Sequence, residues 1–307
     1  MKRVLVTGAT GFLGRHTLPF MTELGYDVHI VSRHSNFNQP KVTTHCCDIL
    51  DPMKSTQLLD EVRPSHLLHL AWCTEPKTFW NTSDNLRWFS ASTHLFESFV
   101  KFGGHRIVGC GSCAEYEWVN DRVCHEWTTP TRPASNYGRA KLATGSWLDT
   151  FATANAISAA WARIFYLFGP RGHKQRMPGC IIDALLDNRP AKCSSGTQVR
   201  DYMYITDAAI ALATLLESPV EGPVNIATGQ PVQILKIAEQ TAELLNRRHL
   251  LHVGALSDSP VNNPNWLAAD VTRLREEVGI MPRVSQNEGL QHTINWWKHA
   301  RQTRAAS

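Results

Sequence analysis

The chain has 307 residues, of which 43% are hydrophobic, and a formal net charge of +4. This length suits one large α/β domain, or a nucleotide-binding domain with a smaller lobe, and the mild charge disfavours nucleic acid as a partner. Because no apolar run approaches the roughly 20 residues of a membrane-spanning helix, and a strand-like run follows Met1 too closely for a signal peptide, we expect a cytoplasmic protein without a membrane partner.

The first half of the chain alternates short apolar runs with helical patterns. Near-continuous apolar strands joined by helices are typical of a parallel sheet covered on both faces. The predicted order is strand 3–6, helix from about 12, strands 27–31, 43–47 and 65–71, helix 86–102, strand 106–109, helix from about 137 and strand 159–164. The predicted fold class is therefore α/β, a doubly wound parallel sheet of the Rossmann type.

Glycine and proline breakers interrupt this order after residue 168, and helices return at about 234–246 and 288–299. We predict a dinucleotide-binding domain at 1–168 with a returning segment near 202–226. A smaller C-terminal substrate-binding lobe is predicted at 169–201 and 227–307.

A glycine-rich turn follows the first predicted strand directly and opens the first helix. Gly8, Gly11 and Gly14 permit a tight turn and close approach of a pyrophosphate, and the helix N-terminus favours the anion. The predicted cofactor contacts in this turn are Gly8, Thr10, Gly11, Phe12, Leu13 and Gly14.

The second predicted strand ends in Ser32 and Arg33, where many such folds carry an acidic residue for the ribose 2′-hydroxyl. A guanidinium can pair with a 2′-phosphate, so NADP(H) is favoured over NAD(H). The alternative is a solvated surface arginine. Further cofactor contacts are predicted after the third and fourth strands: Asp48 and Ile49 beside the adenine, and Leu70, Ala71 and Trp72 beside the middle of the cofactor.

The end of the fifth strand carries two overlapping patterns in the stretch CGSCAEY. Cys110 and Cys113 form a Cys-x-x-Cys, which suits a redox pair or half of a zinc site, but no thioredoxin-like unit or strong second ligand pair accompanies it. We predict packed thiols here, no disulfide framework and no metal site. The serine between them, Ser112, becomes the residue of interest.

Tyr137 and Lys141 form a Tyr-x-x-x-Lys at the start of a predicted helix, which places both side chains on one face. A nearby ammonium favours the phenolate and so lowers the pKa of a tyrosine. Such a pair can pass a proton to or from a carbonyl or alcohol. Together with Ser112 and the glycine-rich turn, it resembles the extended short-chain dehydrogenase/reductase family, specifically the members that modify nucleotide sugars.

The resemblance covers most of the chain and implies roles for individual residues. It makes Ser112, Tyr137 and Lys141 the catalytic residues, and it makes Arg200, in the segment VRDYMYITD, the anchor for the diphosphate of a nucleotide sugar. It also implies a homodimer formed through helices at 86–102 and 137–151. The residues that it implies for substrate binding are Arg200, Cys113, Tyr166 and Asn225.

Departures from the family pattern narrow the expected reaction. Family dehydratases carry an Asp-Glu pair where this chain has Cys113 and Ala114, so dehydration is not expected. The preferred function is NADP-dependent reduction of a keto group on a nucleotide-linked sugar, a nucleoside-diphosphate 4-keto-6-deoxyhexose. Two alternatives are a nucleotide-sugar 4-epimerase with a tightly bound cofactor and a non-enzymatic dinucleotide sensor.

Overall fold

The computed structural model describes residues 2–33, 37–76, 78–118, 122–257 and 264–305. Its strands are β1 (Arg3–Thr7), β2 (Asp27–Ser32), β3 (Val42–Cys46), β4 (His66–His69), β5 (Arg106–Ser112), β6 (Val123–Cys124), β7 (Ser158–Ile164), β8 (Tyr166–Phe168), β9 (Ala191–Lys192), β10 (Val199–Arg200), β11 (Tyr202–Tyr204), β12 (Gly222–Ile226), β13 (Val232–Gln233), β14 (Leu251–His252) and β15 (Trp266–Ala269). Its α-helices are α1 (Phe12–Glu23), α2 (Pro52–Val62), α3 (Asp84–Lys101), α4 (Asn136–Asn155), α5 (Gly179–Leu186), α6 (Ile205–Glu217), α7 (Ile234–Leu244), α8 (Thr272–Glu276) and α9 (Gln286–Ala305).

Seven strands form the main sheet in the order β12-β7-β5-β4-β1-β2-β3, and all of its neighbouring pairs are parallel. The predicted doubly wound parallel sheet is confirmed. The chain builds outward from β1 through β2 to β3, and then returns to the other side of β1 with β4. The order therefore reverses between β1 and β4, and ligands of such sheets bind at the carboxyl ends of the strands at this point.

Each face of the main sheet is covered by its own set of helices. On one face, Leu18 and Met21 of α1 pack with Leu212 and Leu215 of α6 in a single buried cluster. On the other face, buried leucine and phenylalanine side chains of α2, α3 and α4 cover the strands. Two buried faces explain why the strands lack a polar alternation and read as continuous apolar runs.

The remaining elements form smaller units beside this sheet. A four-stranded sheet has the order β13-β10-β15-β6, and β8 and β11 form a parallel pair. Helices α5 and α7 share a buried apolar cluster with Ile294 of α9. β12 joins the main sheet beside β7, and β6, from within residues 1–168, joins the four-stranded sheet. In the described part of the chain, no helix has the length and apolar character needed to cross a bilayer.

Candidate active site

The glycine-rich turn between β1 and α1 packs against the chain that leaves β4. Gly8 has φ +69, and a Cβ added there would lie 2.7 Å from the backbone nitrogen of Ala71. A Cβ on Gly14 would lie 2.3 Å from the carbonyl oxygen of Gly8. Both positions therefore need glycine, because backbone atoms occupy the space of any side chain.

This turn has the features that a dinucleotide pyrophosphate requires. α1 begins at Phe12 without a side-chain cap, so its first backbone N–H groups remain available to an anion. The backbone of Gly8 lies against Leu70 and Ala71, so two of the predicted contact segments meet at the switch between β1 and β4. The residues present fit the diphosphate of a nicotinamide dinucleotide.

The other predicted cofactor residues lie at the ends of neighbouring strands. Ser32 is buried at the end of β2 and Arg33 follows it on the surface. Asp48 lies just after β3 and its carboxylate accepts the backbone N–H of Leu50 at 3.1 Å. Ile49 is buried among the side chains of α2 and the sheet.

The catalytic residues predicted from the sequence come together where β5 meets α4. Ser112 ends β5 and caps a 3-10 turn, Cys113–Glu115, and the Ala114 N–H donates to its Oγ at 3.2 Å. Ser135 caps α4 by accepting the Gly138 N–H at 3.1 Å. A Cβ on Gly138 would lie 2.2 Å from the carbonyl oxygen of Ala114, so α4 is seated tightly on the turn that carries Ser112.

Lys141 is almost completely buried, with 2% of its surface exposed. Its Nζ donates to the carbonyl oxygen of Cys110 at 2.7 Å and lies 3.8 Å from the ring centroid of Trp72. Burial lowers the pKa of Lys141 to about 8. The Trp72 Nε1 donates to Asn85 Oδ1 at 2.9 Å, so the indole that covers this ammonium is itself fixed.

Tyr137 lies in an aromatic enclosure. The rings of Phe79, Trp80 and Trp72 lie 4.9, 5.8 and 6.4 Å from its ring, centroid to centroid, all close to edge-to-face. Burial raises the pKa of Tyr137 well above its ordinary value, and a hydrogen bond with Ser112 works in the opposite direction. The lowering of this pKa expected from Lys141 was wrong, because burial, and then Cys110, Cys113 and Glu115, raise it.

The four predicted substrate residues are linked through one buried cluster. The Arg200 guanidinium is fully buried and donates to Tyr166 Oη at 3.2 Å. Cys113 is buried, and Tyr166 packs against the same apolar cluster. Asn225 contacts the same cluster through Tyr116 and Cys124: its Oδ1 accepts the Tyr116 hydroxyl at 2.7 Å, and its Nδ2 donates to the carbonyl oxygens of Cys124 and Asp270.

Six of the eight cysteines are partly or fully buried, and Cys46 and Cys73 are exposed. All eight lie in the described ranges and all are free thiols. Burial raises the pKa of both Cys110 and Cys113, which disfavours the thiolate that redox or metal chemistry needs. This agrees with the prediction of thiols packed at the end of β5.

One group of side chains that could hold a metal ion was not predicted from the sequence, because one member lies far along the chain from the other two. Ligand atoms of His125, Glu126 and Asp270 lie within 4.8 Å of one another. Glu126 accepts the Asn225 N–H at 2.9 Å, and Asp270 accepts the Thr272 N–H at 2.8 Å. These two carboxylates thus already anchor the backbone of β12 and the start of α8.

A buried charge pair beneath the site was also missed. Arg163 Nε donates to Glu115 Oε2 at 2.9 Å, and the two side chains are 8% and 0% exposed. The only signal in the sequence is a glutamate immediately after the Cys113-Ala114 pair. Nothing in the local pattern connects it to an arginine 48 residues away.

Comparison with known proteins agrees with this fold. A family model described as the NAD dependent epimerase/dehydratase family matches residues 4–227. UDP-glucuronic acid decarboxylase 1 of Xenopus tropicalis is 24% identical, over 97% of this chain and 72% of that relative. UDP-glucose 4-epimerase of Thermotoga maritima has the same fold, with a TM-score of 0.85 at 22% identity over 97% of this chain and 99% of its own. MoeE5, solved with UDP-glucuronic acid and NAD, has a TM-score of 0.84 at 27% identity over the same shares of the two chains.

Proposed function

The chain belongs to the NAD dependent epimerase/dehydratase family, and from this premise we propose that it reduces a keto group on a nucleotide-linked sugar with NADP(H). The proposed substrate is a nucleoside-diphosphate 4-keto-6-deoxyhexose. The observation that carries the proposal is the grouping of Ser112, Tyr137 and Lys141 where β5 meets α4, on the sheet whose β1–α1 turn fits a dinucleotide.

Each of these side chains has a definite task in such a reduction. Ser112 holds the substrate oxygen, and Tyr137 donates a proton to that oxygen as it gains charge. Lys141 binds the ribose next to the nicotinamide and contributes a positive charge near the phenol. The bound dinucleotide supplies the hydride.

Tyr137 carries its proton at physiological pH, which is compatible with a role as the proton donor of a reduction. Burial raises its pKa, so the side chain is a neutral phenol at physiological pH. A phenol can give a proton to a ketone oxygen, whereas oxidation of an alcohol needs the phenolate as a base. The aromatic enclosure therefore keeps Tyr137 in the protonated form that a reduction needs.

The choice of NADP(H) rests on the end of β2. Arg33 is exposed immediately after this strand, and the neighbouring Ser32 carries no charge. A guanidinium at this place can form charge-assisted hydrogen bonds with a 2′-phosphate. The experiment incubates the full chain with NADPH or NADH and a panel of nucleotide-linked 4-ketosugars, following nicotinamide absorbance.

In this assay the wild-type protein is expected to consume NADPH in preference to NADH. Arg33→Ala removes the partner of the 2′-phosphate. The affinity for NADPH should therefore fall about tenfold or more, from the roughly 1.5–3 kcal/mol of a charged hydrogen bond, and the affinity for NADH should not change. Arg63→Ala, an exposed arginine at the end of α2, is the control. Equal use of the two cofactors by the wild-type protein would refute the role given to Arg33.

Dehydration lacks the groups that it requires. Cys113 and Ala114, at the positions of the dehydratase acid and base, are buried, and burial keeps the thiol protonated. Glu115 is the nearest carboxylate along the chain, but it is fully occupied by Arg163, Trp161 and the Ser112 N–H. Removal of water would need a free acid and base at this place.

A 4-epimerase is the second candidate, favoured by the likeness to UDP-glucose 4-epimerases. It would use the same three side chains, but it would retain its cofactor through turnover. A protein that consumes no added NADPH with any ketosugar, yet interconverts the C4 stereoisomers of a nucleotide sugar, would replace the reductase with this candidate.

Substrate binding and assembly complete the proposal. Arg200 and Tyr166, which lie together beyond Cys113, are the proposed contacts for the nucleotide sugar. Helices α3 and α4 pack side by side, and we propose that their outer faces form a homodimer. Sedimentation of the purified chain tests this assembly directly.

A further inference from the structure

Glu115 is a completely buried carboxylate directly below the catalytic serine. Its Oε1 accepts the backbone N–H of Ser112 at 2.7 Å, and its Oε2 accepts Arg163 Nε at 2.9 Å. Trp161 Nε1 lies 3.0 and 3.1 Å from the two oxygens. Three donors from two neighbouring strands, β5 and β7, thus converge on one carboxylate.

The fold leaves space for this carboxylate at two glycines. A Cβ on Gly111 would lie 2.6 Å from Glu115 Oε1 and 2.4 Å from Trp161 Nε1. A Cβ on Gly145 of α4 would lie 2.7 Å from the same indole nitrogen. The strand that carries Ser112 and the helix that carries Tyr137 therefore each have a glycine where a side chain would clash with the Glu115–Trp161 contact.

Stability alone does not account for the pair. A buried ion pair loses so much hydration that apolar side chains of the same volume are often equally stabilising or better. Arg163 is also committed on its other side, where Nη1 donates to Tyr116 Oη and to the carbonyl oxygen of Glu126. The structure thus keeps the Glu115–Arg163 pair buried despite its lost hydration, and among the three catalytic residues this pair hydrogen-bonds Ser112.

The charge of Glu115 also acts on the two other catalytic side chains. Burial raises the pKa of Tyr137, and Cys110, Cys113 and Glu115 add to that rise. Burial lowers the pKa of Lys141 to about 8, while Cys110 and Glu115 oppose this lowering. Removing the carboxylate charge should therefore lower both pKa values.

We propose that Glu115 is a positioning residue of the reaction centre. It fixes the Ser112 backbone, and with it the hydroxyl that meets the substrate oxygen, and it sets a constant negative charge beside the Tyr137–Lys141 pair. Arg163 and Trp161 hold the carboxylate in place. This inference rests on the proposed function of the three catalytic residues and adds the layer that supports them.

The first test uses a cavity next to the pair. A cavity of about 210 Å³ is lined by Glu115, Arg163, Trp161 and Asp149, among others, so a small carboxylate can reach the space left by a truncated Glu115. In Glu115→Ala, kcat should fall about tenfold to a hundredfold, from the cost of a lost charged hydrogen bond. KM and dinucleotide affinity should stay near wild type, since Ser112 acts on the developing charge of the oxygen.

Added formate should restore part of kcat in Glu115→Ala, and chloride should not. Asp149→Ala, which changes an exposed carboxylate on the same cavity, is the control and should keep full kcat with no response to formate. An unchanged kcat in Glu115→Ala, or a loss carried entirely by KM, would overturn the proposal. If Glu115→Ala does not fold, Glu115→Leu combined with Arg163→Met removes both charges and the acceptor of the Ser112 N–H at similar volume, and the same loss of kcat is expected.

The second test needs no substrate, so it separates this inference from the proposed function. The full chain is labelled with [6-13C]lysine, and the Lys141 signal is assigned by its loss in Lys141→Arg. The titration midpoint of Lys141 should be lower in Glu115→Gln than in wild type. An unchanged or higher midpoint would contradict the proposal even if the nucleotide-sugar assay succeeded, whereas a lowered midpoint would support it even if every sugar failed.

Discussion

The glycine-rich turn and the reaction centre lie on the same sheet but are built in opposite ways. The turn is one continuous segment, residues 8–14, and it depends on what is missing, because backbone atoms fill the side-chain space of Gly8 and Gly14. The reaction centre is assembled from β5, α4 and the end of β4, and it depends on buried charges and aromatic rings around Tyr137 and Lys141. Steric fit thus determines the structure of the glycine-rich turn, and electrostatics determine the properties of the reaction centre.

Tyr137→Phe should have the largest effect, because it changes the function of the reaction centre and leaves that of the glycine-rich turn intact. The change removes the proton donor but keeps the ring that packs against Phe79, Trp80 and Trp72. We expect kcat to fall by about 10²–10⁴, the usual contribution of a general acid. Dinucleotide affinity, measured by titration, should not change. Tyr26→Phe, in a buried tyrosine on the opposite side of the sheet core, is the control. Unchanged function of Tyr137→Phe in cells, with no turnover by the wild-type protein, would favour a non-enzymatic sensor.

The next largest effect should be the pH dependence of the free energy of unfolding that Lys141 contributes. Because burial lowers its pKa to about 8 in the folded protein, an unfolded chain binds more protons above that pH. The free energy of unfolding contributed by Lys141 should therefore rise between about pH 8 and 10, by at most about 1.4 kcal/mol per pH unit, and stay flat below.

Urea unfolding of wild type and Lys141→Met over this range measures the contribution as a difference. Measurements stop near pH 10 because Tyr137, whose pKa burial raises, contributes with the opposite sign above its ordinary pKa. A difference that shrinks as the pH rises would contradict the buried ammonium.

A change in the turn should instead alter stability and cofactor binding together. A methyl group in Gly14→Ala meets the Gly8 carbonyl oxygen and the Ala9 Cα, so we expect a loss of about 1–3 kcal/mol in the free energy of unfolding. Dinucleotide affinity should fall with it. Gly25→Ala separates the two effects: this residue has φ +80 but open space around it, so roughly 1 kcal/mol of strain is expected with cofactor affinity intact. Equal cofactor affinity in both variants would show that the Gly14 contact does not shape the site.

The sequence predicted the regular parts of the molecule because they repeat a local rule. Apolar runs predicted six of the seven strands of the main sheet, all but β12, and the Tyr-x-x-x-Lys spacing placed both side chains in the first two turns of α4. Helix α2 was not predicted, although Asp51 caps it and Pro52 begins it, both typical signals of a helix start. The sequence around Asp51 therefore contains a local signal for the start of this helix.

The electrostatics could not be predicted in the same way. Whether Glu115 is solvated or buried depends on Trp161 and Arg163, which lie in β7, the strand next to β5. The pKa of Tyr137 was predicted with the wrong sign because the local pattern contains Lys141 but not the rings of Phe79 and Trp80. Such quantities depend on contacts that form only when distant segments fold together.

The fixed indole of Trp72 makes the reaction centre visible to spectroscopy. Its Nε1 is tied to Asn85, and an ammonium lies 3.8 Å from its ring centroid, so the charge acts on the ring from one constant direction. An electric field of fixed direction shifts the emission wavelength of an indole by an amount that follows the charge. The emission spectrum of wild type minus that of Trp72→Phe should therefore move as Lys141 loses its proton, and the protein carries an optical indicator of its own active-site charge.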